Sequence, residues 1–336
     1  MRTLTAIDLF SGCGGQSLGL SQAGFTLLCG CEIRPEARQA YSLNHPDIPV
    51  YPDIRELNGQ TILDEHNLMP GDLDLLAACP PCQGFSSIRT RNGAIAEDPR
   101  NDLIIEVSRL IAELQPKCIL IENVPRLLKD ERIEVFKSKL PDYIFSAEVR
   151  DAQNFGVPQR RKRMILIGSR VGEISLPDAV PRKKLVRDVI SGLPDPDTSH
   201  KRPLHRIRQR FTPIVAKRIA AVSKNRSELP LELVLECHKR YPKGFRDVYG
   251  RISWDDVAPT MTRSSHNPSK GRFIHPSENR GLTIYEIMLL QGFPAGYKLP
   301  PELGIGKLAS LLGEAFPPPM VKAHAEKIFR HLARSL

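Results

Sequence analysis

The apolar run "LDLLAAC" gives way to Pro80, Pro81 and Cys82, and forty residues later the most apolar stretch of the chain, "CILIENVP", carries Glu122 near its end. A thiol and a carboxyl so placed suit covalent chemistry. Two prolines fix two φ angles and hold the thiol of Cys82 in place without spending entropy at the moment of reaction. The start of a loop near positive charge would favour the thiolate, the nucleophilic form. A carboxyl at the end of a buried strand is partly desolvated, which suits a group that donates a proton near neutrality. Bland readings stand beside these. Glu122 could cap a neighbouring turn, and Cys79 with Cys82 could be a redox pair, half a zinc site or a structural pair. Zinc needs a second pair of Cys or His at close spacing, and none follows. Cys79 closes an apolar strand and reads as buried.

Two further features sit at strand ends. The turn "DLFSGCGG" lets backbone approach a ligand, yet it departs from the dinucleotide fingerprint because Ser17 stands where a third glycine is required. Glu32 ends the next apolar stretch and could accept hydrogen bonds from ribose hydroxyls. Together they fit an adenosine ligand without a pyrophosphate, such as S-adenosylmethionine. A tight turn plus an ordinary surface glutamate is the alternative.

Such groups converge only if the strands that end in them lie side by side. The segments "LTAIDLF", "FTLLCGCE", "VYPDI", "LDLLAAC", "KCILIENV" and "RMILIGS" read as strands. The intervening "QSLGLSQAG", "RPEARQAYSLN" and "DLIIEVSRLIAELQP" read as amphipathic or helical. Strands alternating with helices predict an α/β fold, a doubly wound and mainly parallel sheet with ligands outside the carboxyl ends of its strands. After residue 175 the chain turns proline-rich and polar, which places a boundary near 178. Helical texture returns with "LTIYEIMLLQGFP", where Thr283 and Glu286 have capping-box spacing. The expected division is therefore 1–178 plus 283–336 in one domain and 179–282 in a second, smaller one.

Charge points to a partner. Residues 159–226 hold 18 basic and 5 acidic side chains, a local net of +13, whereas the other 268 residues carry a net of −3. A concentrated basic stretch is the footprint of a polyanion, most often nucleic acid, although a solvated basic face would look similar. Twelve of the 18 are arginines, the better fork for phosphate and base edges, which favours nucleic acid. No apolar run approaches the ~18 residues of a membrane span. The seven scattered cysteines suit reduced thiols in a cytoplasm, and no export signal precedes the first strand.

Taken in order, "DLFSGCGG", "PPCQGFS", "ENV", "QRRKR", "LTIYEIMLLQGFP" and "GEAFPP" resemble the DNA cytosine-5 methyltransferases over nearly the whole chain, outside about 178–280. The resemblance implies a Rossmann-like fold that uses S-adenosylmethionine. It makes Cys82 the nucleophile toward carbon 6 of a flipped-out cytosine, and Glu122 the group at ring nitrogen 3. Arg161 and Arg163 match the arginines that hold the flipped base and the site. Phe10, Gly12, Cys13, Gly15, Glu32, Ile33, Asp53, Ile54, Pro80, Leu103 and Glu314 fall at cofactor positions. Gln83, Ser86 and Ser87 match DNA contacts after the nucleophile. Residues 1–178 and 283–336 would be the catalytic and cofactor-binding domain, and 179–282 the target-recognition domain. Within the latter, "APTMTRSSHNPSKGRFIHP" looks like the part that enters the groove, with Arg263, His266, Lys270 and Arg272 as candidate base or phosphate contacts.

One motif departs: the family usually has Gly-Asn-Ala-Val where this chain has Gly313-Glu314-Ala315-Phe316. A carboxylate cannot donate the hydrogen bond an amide gives the cofactor, and Glu314 is expected to meet the cofactor's ammonium instead. The implied partner is duplex DNA, with no membrane and no metal, in a monomeric prokaryotic or phage modification enzyme of the cytoplasm, with a companion restriction endonuclease possible. Two other functions share features of the sequence. The related tRNA-methylating branch carries a Cys-Phe-Thr stretch that is absent here. A non-catalytic DNA-binding scaffold would not need Cys82, Glu122 and the paired arginines.

Overall fold

The computed structural model describes residues 3–81, 103–222, 229–240 and 247–334. Cys82, Gln83, Ser86 and Ser87 lie outside the described residues. The chain divides into two compact units, one of Met1–Phe155, Lys162–Pro181 and Phe316–Leu336, the other of Gly156–Arg161 and Arg182–Ala315.

The first unit is built on one seven-stranded sheet: β1 (Thr5–Leu9), β2 (Thr26–Cys31), β3 (Val50–Tyr51), β4 (Leu75–Ala78), β5 (Cys118–Asn123), β6 (Ile144–Asp151) and β7 (Lys162–Ser169), in the order β3-β2-β1-β4-β5-β7-β6. The first five run parallel to their neighbours, while β7 is antiparallel to both β5 and β6. The parallel strands read as unbroken apolar runs because helices cover both faces. Ile119, Leu120 and Ile121 are all fully buried in consequence.

Register decides what meets at the carboxyl edge. Leu9 is paired with Cys31 and with Ala78, and Ala78 with Ile121. The residues that follow on β1, β2 and β4, namely Phe10, Glu32 and Cys79, therefore leave the sheet beside Glu122, the penultimate residue of β5. This is the row that the alternation of strands and helices predicts.

β6 is the element the sequence reading passes over. Its side chains are half-buried or exposed throughout, as befits an edge strand, so "IFSAEVRD" lacks the apolar run that announces its neighbours. Helices follow the expected segments: α1 (Gly15–Gln22), α2 (Pro35–Ser42), α3 (Gly59–His66), α4 (Leu103–Leu114) and α5 (Glu131–Ser138), of which α3 and α5 were not anticipated.

The second unit is poor in regular structure and is tied together by side chains reaching carbonyls. Buried Arg251 donates to the carbonyl oxygens of Ile219, Val222, His275 and Glu278, satisfying acceptors that a sheet would otherwise pair. Its helices are α6 (Arg187–Ile190), α7 (Pro203–Arg206), α8 (Pro213–Ala221), α9 (Glu236–Arg240), α10 (Ile284–Leu290) and α11 (Gly304–Glu314), while α12 (Pro318–Ala333) belongs to the first unit. The capping box forms in both directions: Glu286 N–H donates to Thr283 Oγ1 at 3.1 Å, and Thr283 N–H to Glu286 Oε2 at 2.9 Å. Arg280 pairs with the buried Glu286 carboxylate through two hydrogen bonds.

The units part at Pro181 and again at Ala315. By contacts within the chain, α10 and α11 group with the second unit. Helical texture alone associated them with the first. Their partners are long-range: His205 binds Thr283 Oγ1 and Gln159 binds the Leu290 carbonyl. Among the described residues no helix is long and apolar enough to cross a membrane.

Candidate active site

The turn after β1 is wound in the left-handed region, with φ of 61° at Phe10, 55° at Gly12 and 92° at Gly14. A non-glycine residue in that conformation is uncommon and costs of order 1 kcal/mol, so the fold must hold Phe10 there. It does so through Ser11, whose N–H donates to the Cys31 carbonyl at 3.0 Å, and through the packing of Phe10 on the buried cluster that includes Ile54 and Leu103. Gly12 N–H donates to Glu32 Oε2 at 2.9 Å, and Arg34 holds Oε1 with its backbone N–H and Nε. The two sequence features that suggested an adenosine ligand are thus in direct contact.

Among the described residues, apart from its chain neighbours, no atom would lie within 4 Å of a Cβ at Gly12, so the space beside this glycine is open. Ile33 beside it is 58% exposed, an apolar side chain with one face uncovered. Asp53 stands at the end of β3, its Oδ1 accepting from Arg55 N–H, while Cys13 and Pro80 are buried. An open left-handed turn, a fixed carboxylate with lone pairs to spare and an uncovered isoleucine fit the ribose and adenine of S-adenosylmethionine. Gly15 begins α1 in the same turn.

Beneath the turn lies a buried polar network that sequence reading missed. Asp8 accepts from Gln16 Nε2 and from Ser17 Oγ, each at 2.6 Å, Ser17 Oγ meets Tyr41 Oη at 2.9 Å, and the Cys79 thiol donates to Gln16 Oε1 at 2.9 Å. Gln16 therefore bridges the glycine turn to the residue that opens the Pro-Pro-Cys82 loop. Burial pushes the Asp8 carboxyl up to about 7 against the pull of its hydrogen-bond donors. The sign follows: above the ordinary carboxylate range the unfolded chain gives up this proton while the folded chain keeps it until about 7. Stability from this group is complete at low pH and lost as pH rises to 7, with a limiting slope of about 1.4 kcal/mol per pH unit. Asp8→Asn is expected to be more stable relative to wild type at pH 8 than at pH 5, read as a difference in Tm at the two values.

The loop is clasped on its other side too. Asn123 Nδ2 donates to the Pro80 carbonyl at 3.0 Å. In the sequence the only signal for Asn123, within "ENV", is an amide at the end of a buried strand. Next to it, Glu122 forms an ion pair with Arg163 Nε at 2.8 Å. Glu122 is opposite Ile165 across the β5–β7 ladder, so Arg163, two residues along on the same face, is its diagonal neighbour. The Asn123 hydrogen bond thus ties the residue after Glu122 to Pro80, two positions before Cys82 in the sequence.

Arg161 is placed differently from Arg163. It is buried in the second unit, with Nη1 donating to the carbonyls of Met261 at 3.1 Å and Gly313 at 3.0 Å. Gln159, also missed, is fully buried there and binds Gln291 Oε1, the Leu290 carbonyl and Met261 N–H. Arg263 pairs with Glu314, and Arg272 donates to Asp247 Oδ1. In the basic segment, Arg208 is bound through both Nη groups by Asp197, beside a cavity of about 310 Å3 lined also by His200, Arg206 and Arg210.

Among the described residues no cysteine is in a disulfide, and burial holds some of the thiols inert: Cys118 is pushed up to about 11 and Cys31 to about 12. Neither offers a thiolate near neutral pH.

A sequence profile of C-5 cytosine-specific DNA methylases matches residues 4–330. The chain is 33% identical to the Type II methylase M.HgiDII of Herpetosiphon aurantiacus, across 97% of this chain and 95% of that protein. It is 31% identical to the Type II methyltransferase M1.BsuMI of Bacillus subtilis, across 87% and 73%. A putative DNA modification methyltransferase encoded within an Escherichia coli prophage superposes with a TM-score of 0.76 at 24% identity, covering 98% and 99% of the two chains, and shares the fold.

Proposed function

Since the chain belongs to the C-5 cytosine-specific DNA methylase family and is a DNA cytosine-5 methyltransferase, we propose that it methylates a flipped-out cytosine in a specific duplex sequence through a covalent Cys82 adduct. The observation that supports this is the hydrogen bond from Asn123 to the Pro80 carbonyl, which joins the neighbour of Glu122 to the chain two residues before Cys82.

The Cys82 thiolate adds to carbon 6 of the base, and the carbon 5–carbon 6 pair of electrons moves to carbon 5. Glu122, steadied by Arg163, supplies a proton or hydrogen bond at ring nitrogen 3, which makes carbon 6 electrophilic. Phe10, Gly12, Glu32, Ile33, Ile54 and Leu103 would hold S-adenosylmethionine, which would supply an electrophilic methyl group. When carbon 5 gives up its proton to a water molecule, the freed electron pair restores the carbon 5–carbon 6 double bond as the sulfur–carbon bond breaks and the thiolate leaves; the proton at nitrogen 3 returns to Glu122 and the ring is aromatic again. Extruding the base costs a few kcal/mol of unstacking, offset by contacts from the second unit, which is the target-recognition domain in this reading. Arg161 serves it as a positioning residue, and the basic segment supplies the electrostatic attraction to duplex DNA. Type II relatives are consistent with a role in a restriction-modification system.

Incubation with S-adenosylmethionine labelled in its methyl group, with duplex DNA in one arm and tRNA in the other, tests the reading. Label in 5-methylcytosine of DNA alone is expected; label in tRNA alone, or in neither, refutes it. Asn123→Leu keeps the branching of the side chain and removes both the donor to Pro80 and the acceptor of the Val124 N–H. Losing one such hydrogen bond is worth about 1.4 kcal/mol, so kcat is expected to fall about tenfold with the affinity for S-adenosylmethionine unchanged.

A further inference from the structure

Glu314, the position at which the chain departs from the family pattern, lies in a junction with the start of the candidate recognition segment. Three independent features make that junction. A Cβ on Gly313 would lie 2.2 Å from the Thr262 carbonyl carbon and 2.5 Å from Arg263 N, so the backbone of 262–263 rests directly on Gly313. The buried Arg161 guanidinium spans the same two segments through the Met261 and Gly313 carbonyls. Glu314 Oε1 then pairs with Arg263 Nε at 2.8 Å, and Ser310, one turn earlier on α11, meets the same Nε at 3.2 Å.

The segment that leaves this junction starts as a closed turn. Thr262 N–H donates to Ser265 Oγ at 2.6 Å, and Ser265 returns a hydrogen bond from its N–H at 3.1 Å and from its Oγ at 2.9 Å to the Thr262 carbonyl. Arg263 sits in that turn, 60% exposed, and both its contacts to α11 use Nε. Neither contact uses an Nη group, and an arginine's Nη pair is the fork that matches phosphate oxygens or a guanine edge.

We propose that Glu314 is a positioning residue for DNA recognition: it buttresses Arg263 through Nε and aims the Nη pair at the duplex. The inference rests on the reading that residues 258–276 face DNA. Asparagine in this place is neutral and one methylene shorter, and could not make the ion pair. The carboxylate thus exchanges the family's amide function for control of an arginine 51 positions away.

The test is steady-state kinetics of Glu314→Asn, Arg263→Ala and the double variant, on the duplex sequence that wild type modifies as found by bisulfite sequencing. Each single change is expected to raise KM for DNA about fivefold and leave KM for S-adenosylmethionine within twofold. The double variant should be no worse than Arg263→Ala alone, because both remove one device. Arg263→Lys, which keeps the charge but has no Nε, should not rescue. A raised KM for S-adenosylmethionine in Glu314→Asn makes Glu314 a cofactor ligand and overturns the proposal, as do additive effects of the two changes. A separate variant with His266, Lys270 and Arg272 all changed to alanine probes the underlying reading. If it binds duplex DNA as tightly as wild type, the segment does not face DNA, whatever the Glu314 cycle shows.

Discussion

Duplex DNA carrying 5-fluorocytosine at the target position is expected to trap the enzyme in an adduct that survives denaturation. Attack by Cys82 at carbon 6 and methylation at carbon 5 can both proceed on the fluorinated base. Fluorine cannot then leave as a cation in the way a proton does, so the thiolate has no route out. The adduct should require S-adenosylmethionine, vanish in Cys82→Ser and persist in Cys79→Ser. Serine's hydroxyl is almost wholly protonated near neutrality and is a poor nucleophile without a dedicated base, so turnover of Cys82→Ser should fall by about 10^4 or more. Cys79 is the foil because its thiol is engaged with Gln16 under the glycine turn. Mass spectrometry of a digest should find the nucleotide on the peptide that holds Cys82. Finding it on Cys79, or at equal yield from Cys82→Ser, would overturn covalent catalysis by this residue.

Glu122→Gln should lower turnover by a factor of about 10^2 to 10^4 while largely sparing the affinities for DNA and S-adenosylmethionine. The amide is nearly isosteric but cannot hand over a proton as the acid can, and the interaction at ring nitrogen 3 matters most in the transition state. Arg163 loses its ionic partner in the variant but keeps its backbone contact to the Lys162 carbonyl, so the strand should hold. Measurement of kcat beside equilibrium binding of both substrates separates the two effects. Near-full turnover would sink the general-acid role, whereas loss of DNA affinity equal to the loss in kcat would make Glu122 a binding group instead.

The alternation of short apolar runs with helical segments was enough to predict the sheet, because buried parallel strands are apolar on both faces and so stand out in any reading. The capping box at Thr283 was legible for a similar reason: both partners lie within one turn, where spacing alone brings them together. Cys82 and Glu122 stand out in the sequence, and are proposed here as the chemical groups, because prolines restrict the chain before the thiol and a carboxylate on a buried strand is a costly placement. The edge strand β6 escaped notice because its half-exposed face removes the apolar signal. Long-range pairing was decided only by the tertiary structure. Asn123 reaches the Pro80 carbonyl across 43 positions, and Arg161 the Gly313 carbonyl across 152. The return of α10 and α11 to the second unit depends on contacts of the same kind. No local period encodes such a meeting, since it exists only after strand register and helix packing have set two distant backbones side by side. Residue types and their order therefore determined which chemistry the chain can perform. Packing determined which side chains hold that chemistry in place, because a hydrogen bond a few ångströms long depends on where two backbones finish.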